Sequence, residues 1–214
     1  MTTILRIDAS ARQARSLSRM LGDRFIDRWQ QTEPQAAVIR RDVGTQPPPA
    51  ISEAWIAAAF TPVEERSAQA TATLALSNTL IDELEQADVL VITTPMYNYG
   101  MPAALKAWVD QVVRINRTFT FDLGRGDRPL EPILGGKQLV VLTSSGEFGF
   151  SAGQLNEQAG HLLPHLRSVA GYLGAKNIHH VGTEYQEFGD ERFEKSKAEA
   201  KKQVVALAAA LSTD

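Results

Sequence analysis

The chain has 214 residues, 43% hydrophobic and 22% charged, with 22 Lys and Arg against 25 Asp and Glu for a net charge of −3. That near-balance leaves no electrostatic footprint for nucleic acid and no polybasic run for anionic lipid, so neither partner is expected. Zero cysteines exclude disulfides, zinc ribbons, iron–sulfur clusters and thiol chemistry together. In chain order, residues 3–7 read as a first strand and 18–31 as a first helix with Met20, Leu21, Phe25, Ile26 and Trp29 on its buried stripe. Residues 36–40 form a short second strand near a sheet edge, and Pro47-Pro48-Pro49 then stops regular structure. Helical pattern returns over 52–60 and again over 63–86. The apolar run 89–93 is a buried third strand, followed by a loop and an amphipathic helix over 103–114. Residues 117–134 are the longest irregular stretch. A fourth strand covers 138–142, a long connection 144–156 leads to helical pattern ending near Gly174, a fifth strand covers 177–181, and 190–211 is a terminal amphipathic helix.

No apolar stretch approaches the ~20 residues needed to cross a bilayer, and no charged-then-apolar leader precedes the first strand, so no membrane segment is expected and cytoplasmic location is the default. Five strands alternating with helices indicate an α/β fold, with a parallel sheet covered on both faces. One domain over residues 1–214 is the simplest organisation at this length. The flavodoxin-like order 2-1-3-4-5 fits the count, and it sets the switch point between strands one and three. Loops at the carboxyl ends of those strands then share one crevice.

The first of these loops contains Ser10, Arg12, Arg15, Ser16, Leu17 and Ser18 and runs into the start of a helix. Hydroxyl donors beside orphan helix N–H groups and a partial positive charge are the chemistry of a phosphate monoester cradle. Ser16 or Ser18 as a plain helix N-cap is the competing reading. Neither G-x-G-x-x-G nor G-x-x-x-x-G-K-[ST] occurs, which argues against a dinucleotide fingerprint or a P-loop. The third-strand loop carries Met96, Tyr97, Asn98 and Tyr99 between Pro95 and Pro102. A stiff backbone with aromatic faces suits a flat, partly polar ring, because little ordering entropy is lost when the ring binds. For each aromatic taken alone, core packing is the alternative. Ser144, Ser145, Gly146 and Glu147 follow the fourth strand and approach the same place from the other side. Phe119 and Phe121 are candidates for an apolar lid over a substrate, with ordinary packing as the rival.

No metal site is expected. Glu157, His161 and His165 have helical spacing, but Pro164 interrupts the face, and His179 and His180 alternate across a strand.

Ser10 with Ser16-Leu17-Ser18, the stretch Pro95-Met96-Tyr97-Asn98-Tyr99-Gly100-Met101-Pro102 running into Leu105-Lys106-Ala107-Trp108-Val109-Asp110, and Thr143-Ser144-Ser145-Gly146 together resemble the FMN-dependent NADH:quinone oxidoreductases, also called azoreductases. The resemblance covers nearly the whole chain in order and spacing. It implies a flavodoxin-like homodimer with one FMN per subunit. It also implies two-electron reduction of quinones and reductive cleavage of aromatic azo compounds with NADH, in a ping-pong scheme of hydride transfer through flavin N5. On that resemblance Ser10 and Ser16 to Ser18 hold the FMN phosphate, Met96 to Tyr99 border the isoalloxazine, and Ser144 to Glu147 close its other edge. No side chain need act as a nucleophile, since the chemistry is carried by the flavin. One departure is visible: the family usually has Ser-Arg-Gly-Gly where this chain has Ser144-Ser145-Gly146-Glu147, so a cation and a glycine are missing beside the ring. The alternatives are a flavodoxin-type one-electron carrier, an NAD(P)H:flavin reductase, and a redox-inactive module that kept the fold.

Overall fold

Ile4-Leu5, Val89 to Ile92 and Leu139 to Leu142 are each sealed from solvent on both faces. Such runs have no wet side and belong at the centre of a parallel sheet covered by helices. The computed structural model describes residues 1–213. Its elements in chain order are β1 (Thr3–Asp8), α1 (Leu17–Thr32), β2 (Ala37–Asp42), α2 (Glu53–Phe60), α3 (Ala68–Thr73), α4 (Ala75–Gln86), β3 (Val89–Pro95), α5 (Ala103–Val112), β4 (Phe119–Phe121), β5 (Leu130–Pro132), β6 (Lys137–Ser144), α6 (Leu162–Val169), β7 (Ala175–Thr183) and α7 (Glu191–Leu211).

The main sheet is parallel throughout in the order β2-β1-β3-β6-β7, which is 2-1-3-4-5 when its strands alone are counted. One face packs on α4, α5 and α6 through Leu80, Ile81, Leu84, Leu105, Trp108 and Leu166. The other packs on α1 and α7 through Leu21, Phe25, Trp29, Val204 and Ala208. This is the expected three-layer flavodoxin-like sandwich. Gly22 sits inside α1 although glycine weakens a helix. A Cβ there would lie 2.6 Å from Thr93 Cγ2, so α1 could not approach β3 as closely with any other residue.

The structure differs from the sequence expectation in three ways. The helical pattern 63–86 is broken into a 3-10 turn (Val63–Glu65), α3 and α4. Ser67 caps α3 by accepting from the Ala70 N–H at 3.1 Å, and Leu74 leaves the helical line to bury itself against Trp55, Ala58 and Ala59. The irregular stretch 117–134 contains a small antiparallel sheet, β4 with β5, paired from Phe119–Pro132 to Phe121–Leu130. Three-residue strands, one ending in a proline, are too short for alternation to register. The third difference is length. β2, β3, β6 and β7 all extend beyond the purely apolar runs, because ladder pairing continues through polar residues such as Asp42, Thr143 and Thr183. Among the described residues, no helix is long and apolar enough to cross a membrane.

Candidate functional site

β1, β3 and β6 end side by side, and the loops that leave them meet above the sheet. The first loop turns at Ser10, whose hydroxyl accepts from the Arg12 N–H at 3.2 Å. Ser16 adopts an extended backbone and caps α1, its Oγ accepting from the Arg19 N–H at 3.3 Å. The capping reading is therefore correct for Ser16, and it does not compete with the cradle: the same turn leaves the Leu17 and Ser18 N–H groups in the unsatisfied first turn of the helix. Ser10, Ser16 and Ser18 are buried, and the Ser16 and Ser18 hydroxyls lie 3.3 Å apart. Beneath them, Asp8 is buried. It accepts from Thr93 Oγ1 at 2.6 Å and Arg6 Nε at 2.9 Å.

The second loop is held by its own backbone. Met96 N–H donates to Ser144 O at 2.8 Å, and Tyr97 and Gly100 exchange two backbone hydrogen bonds. Asn98 and Tyr99 sit at φ of 46° and 65°, a left-handed conformation that costs energy for a tyrosine and persists where its surroundings impose it. One such restraint is the His161 N–H, which donates to Tyr99 O at 2.7 Å. Tyr97 and Tyr99 stay exposed, with ring faces available. α5 starts immediately afterwards, behind Pro102.

The third loop is fastened to a segment that the sequence did not point to. Ser145 N–H donates to Thr183 O. In return, the N–H groups of Tyr185, Gln186 and Glu187 donate to the carbonyls of Glu147, Ser145 and Gly146. Phe148 stacks on Tyr185 with centroids 4.3 Å apart. The Ser145 hydroxyl, standing where the resemblance leads one to expect an arginine, donates to Glu147 O at 2.9 Å. The Glu147 carboxylate reaches across the crevice and accepts from Tyr99 Oη at 3.0 Å. That hydrogen bond, with the charge beside it, holds the Tyr99 phenol above its ordinary pKa.

Between the loops lies a cleft of about 90 Å³. Ser10, Ser16, Leu17, Met96, Tyr97, Ser144 and Gly146 line it, together with Arg12, Arg15, Pro95, Gln186 and Glu187. Residues from all three loops singled out from sequence thus line one cleft. Ser18, Asn98, Tyr99, Ser145 and Glu147 do not line it: Ser18 is buried, its hydroxyl 3.3 Å from that of Ser16, Ser145 lines a second, larger cleft, and Asn98, Tyr99 and Glu147 belong to the same loops without reaching the cleft wall. Gln186 and Glu187 were missed, although they follow the carboxyl end of the fifth strand, where the topology puts ligand loops. Phe119 packs edge-to-face on Tyr172 at 5.6 Å, Phe121 is exposed, and neither lines the cleft. The larger cleft, of about 450 Å³, is lined by His180, Val181 and Gly182 of β7 together with Ser145, and it shares Met96 with the small one.

The donor set of the small cleft fits a phosphate monoester: two serine hydroxyls, helix-start N–H groups and two arginines. The stiff aromatic border next to it fits a planar ring.

A family model described as flavodoxin-like fold matches residues 2–208. A protein of Idiomarina loihiensis named FMN-dependent NADH:quinone oxidoreductase 2 is 52% identical, over 99% of this chain and 91% of its own. The chain belongs to the FMN-dependent NADH:quinone oxidoreductase family. Another member of this family, the FMN-dependent NAD(P)H:quinone oxidoreductase 1 of Pseudomonas aeruginosa, is 44% identical over 97% of this chain and 99% of its own. Among solved structures, an FMN-dependent NADH-azoreductase from Bacillus anthracis in complex with FMN superposes with a TM-score of 0.86. It covers 99% of this chain and 100% of its own at 17% identity. At that identity the superposition speaks for the fold.

Proposed function

We propose that this protein is a single-domain, cytoplasmic, homodimeric FMN enzyme that takes electrons from NADH and reduces quinones and aromatic azo compounds. The observation that carries this reading is the meeting of an anion cradle and a rigid aromatic border in one crevice, in a chain 52% identical to a named quinone oxidoreductase. When bound, FMN supplies the two-electron redox chemistry, which no side chain here provides. Every other task falls to this chain's residues.

Ser10, Ser16, the first N–H groups of α1, Arg12 and Arg15 neutralise and orient the phosphate end. Met96 to Tyr99 form one border of the ring, and their fixed backbone offers N–H and C=O groups at its edge without further ordering. Ser144 to Glu147 form the opposite border. Backbone N–H groups and the Asn98 amide would be the hydrogen-bond donors at the edge of the ring. Phe119 and Phe121 belong to the β4–β5 hairpin, and we retain them as lid candidates. Phe121, Leu123, Leu130 and Ile133 expose apolar side chains on that hairpin, a surface that a second copy would cover.

The deciding experiment is spectroscopic. The purified protein, reconstituted with FMN, should be yellow, bleach on anaerobic NADH and recover its colour on benzoquinone. A protein that does not retain FMN would sink the reading. One that accepts single electrons but does not react with NADH would be a carrier instead.

A further inference from the structure

The geometry points to Arg19 as the positioning residue of the phosphate loop: its guanidinium takes the loop's carbonyl oxygens away from the cradle, so that N–H groups and hydroxyls face the anion. The inference rests on the proposed flavin phosphate site.

A loop that binds a phosphate must present donors and hide acceptors, because an inward carbonyl meets the anion with its negative end. The loop between β1 and α1 has no glycine to turn its peptides freely. Arg19, in the first turn of α1, does this work from behind. Its Nη2 donates to Ser10 O at 2.7 Å and its Nε to Arg12 O at 3.0 Å. The rest of the fork grips Asp42 bidentately, Nη1 to Oδ2 at 2.8 Å and Nη2 to Oδ1 at 2.6 Å, with Asp8 Oδ2 at 3.7 Å from Nη1. The arginine side chain is only 11% exposed. Asp42 is in turn fixed at the end of β2, where it also accepts from the Thr45 N–H.

A second observation bears on the same carbonyl. A Cβ on Gly44 would lie 2.2 Å from Ser10 O and 2.6 Å from its carbon. The Ser10 carbonyl is thus boxed between the β2 turn and the Arg19 fork. Two carbonyls and a carboxylate need donors spread across a rigid plane, which guanidinium has and a lysine ammonium lacks. Because Asp42 and Asp8 offset the Arg19 charge, its part is orientation more than attraction. Burial opposes the charge on Arg19, but the Asp42 hydrogen bond and the nearby carboxylates outweigh it and raise its pKa, so the fork stays protonated.

The test is titration of the FMN-free protein with FMN and with riboflavin, which lacks the phosphate, followed by flavin fluorescence. Arg19→Lys keeps the charge and loses the fork. It should weaken FMN binding by about tenfold while riboflavin affinity changes by less than about twofold, as expected for losing one or two charge-assisted hydrogen bonds. Gly44→Ala, which presses on the same carbonyl from the other side, should act in the same direction and supplies the measurement if the lysine variant does not fold. Undiminished preference for FMN in these variants overturns the proposal, as does equal weakening toward both flavins. Failure of the wild-type protein to prefer FMN over riboflavin overturns the phosphate site itself, a different and separately readable outcome.

Discussion

Ser16 serves two ends with one side chain, as the cap of α1 and as a wall of the candidate cleft. Ser16→Ala should therefore cost about 1 kcal/mol in thermal stability and also loosen FMN, read as faster loss of flavin on dilution. Asn98 calls for a different substitution. At φ 46° an alanine would add backbone strain, so Asn98→Gly removes the amide and spares the turn. It should lower turnover about fivefold, the value of one hydrogen bond, while FMN retention stays closer to wild type than in Ser16→Ala. Equal effects of the two variants on both readouts would dissolve the division between phosphate end and ring end. Glu147 is where this chain parts from the family pattern, and the structure gives the residue a use: it ties the two ring borders through Tyr99. Hydrogen bonding to Glu147 first, and its charge second, raise the Tyr99 pKa. Glu147→Gln should bring the tyrosinate transition, followed by ultraviolet absorbance, down toward the ordinary value of about 10. The sign also sets the pH window: the clasp is intact below that value and is lost as pH rises through the raised pKa.

At the scale of elements, the periodic helices and the apolar strands are legible from sequence because burial alone specifies them. The breaks are less so. Nothing in 63–86 announces that Leu74 will turn aside to meet Trp55, a contact between residues distant in sequence. The same corner contains a polar knot. Trp55 Nε1 donates to Gln111 Oε1 at 2.9 Å, Gln111 Nε2 donates to Pro49 O at 3.1 Å, and Ser77 Oγ donates to Gln111 O at 2.6 Å. Gln111 is 2% exposed and Trp55 is buried beside it, so losing the Gln111 amide leaves a buried indole N–H without a partner. Gln111→Leu should destabilise the protein by about 2 kcal/mol in urea unfolding, despite the similar side-chain volume. Beside it, Arg114 is buried with Ser77 and Asn78 as partners. Burial first, then repulsion from Arg117 and Arg66, pushes its pKa down to about 10.

For the molecule as a whole, the exposed apolar side chains of the β4–β5 hairpin bear on assembly. Replacing both Phe121 and Leu123 with aspartate should convert a dimer into a monomer in light scattering after size exclusion. A wild-type protein that is already monomeric would refute the homodimer. The sequence by itself determined the α/β layering, the strand order and three of the loops that line the candidate cleft, because those features follow from local apolar runs and from where a parallel sheet puts its loops. Only the tertiary structure decided what fastens those loops. Residues 183–187 hold the Ser144 to Glu147 segment by backbone hydrogen bonds, Glu147 closes on Tyr99, and the Arg19 fork spans β1, α1 and β2. The first is made by backbone groups that every residue carries, and the other two by side chains whose partners only the packing of separate elements brings within reach, so none of them leaves a pattern in the order of side chains.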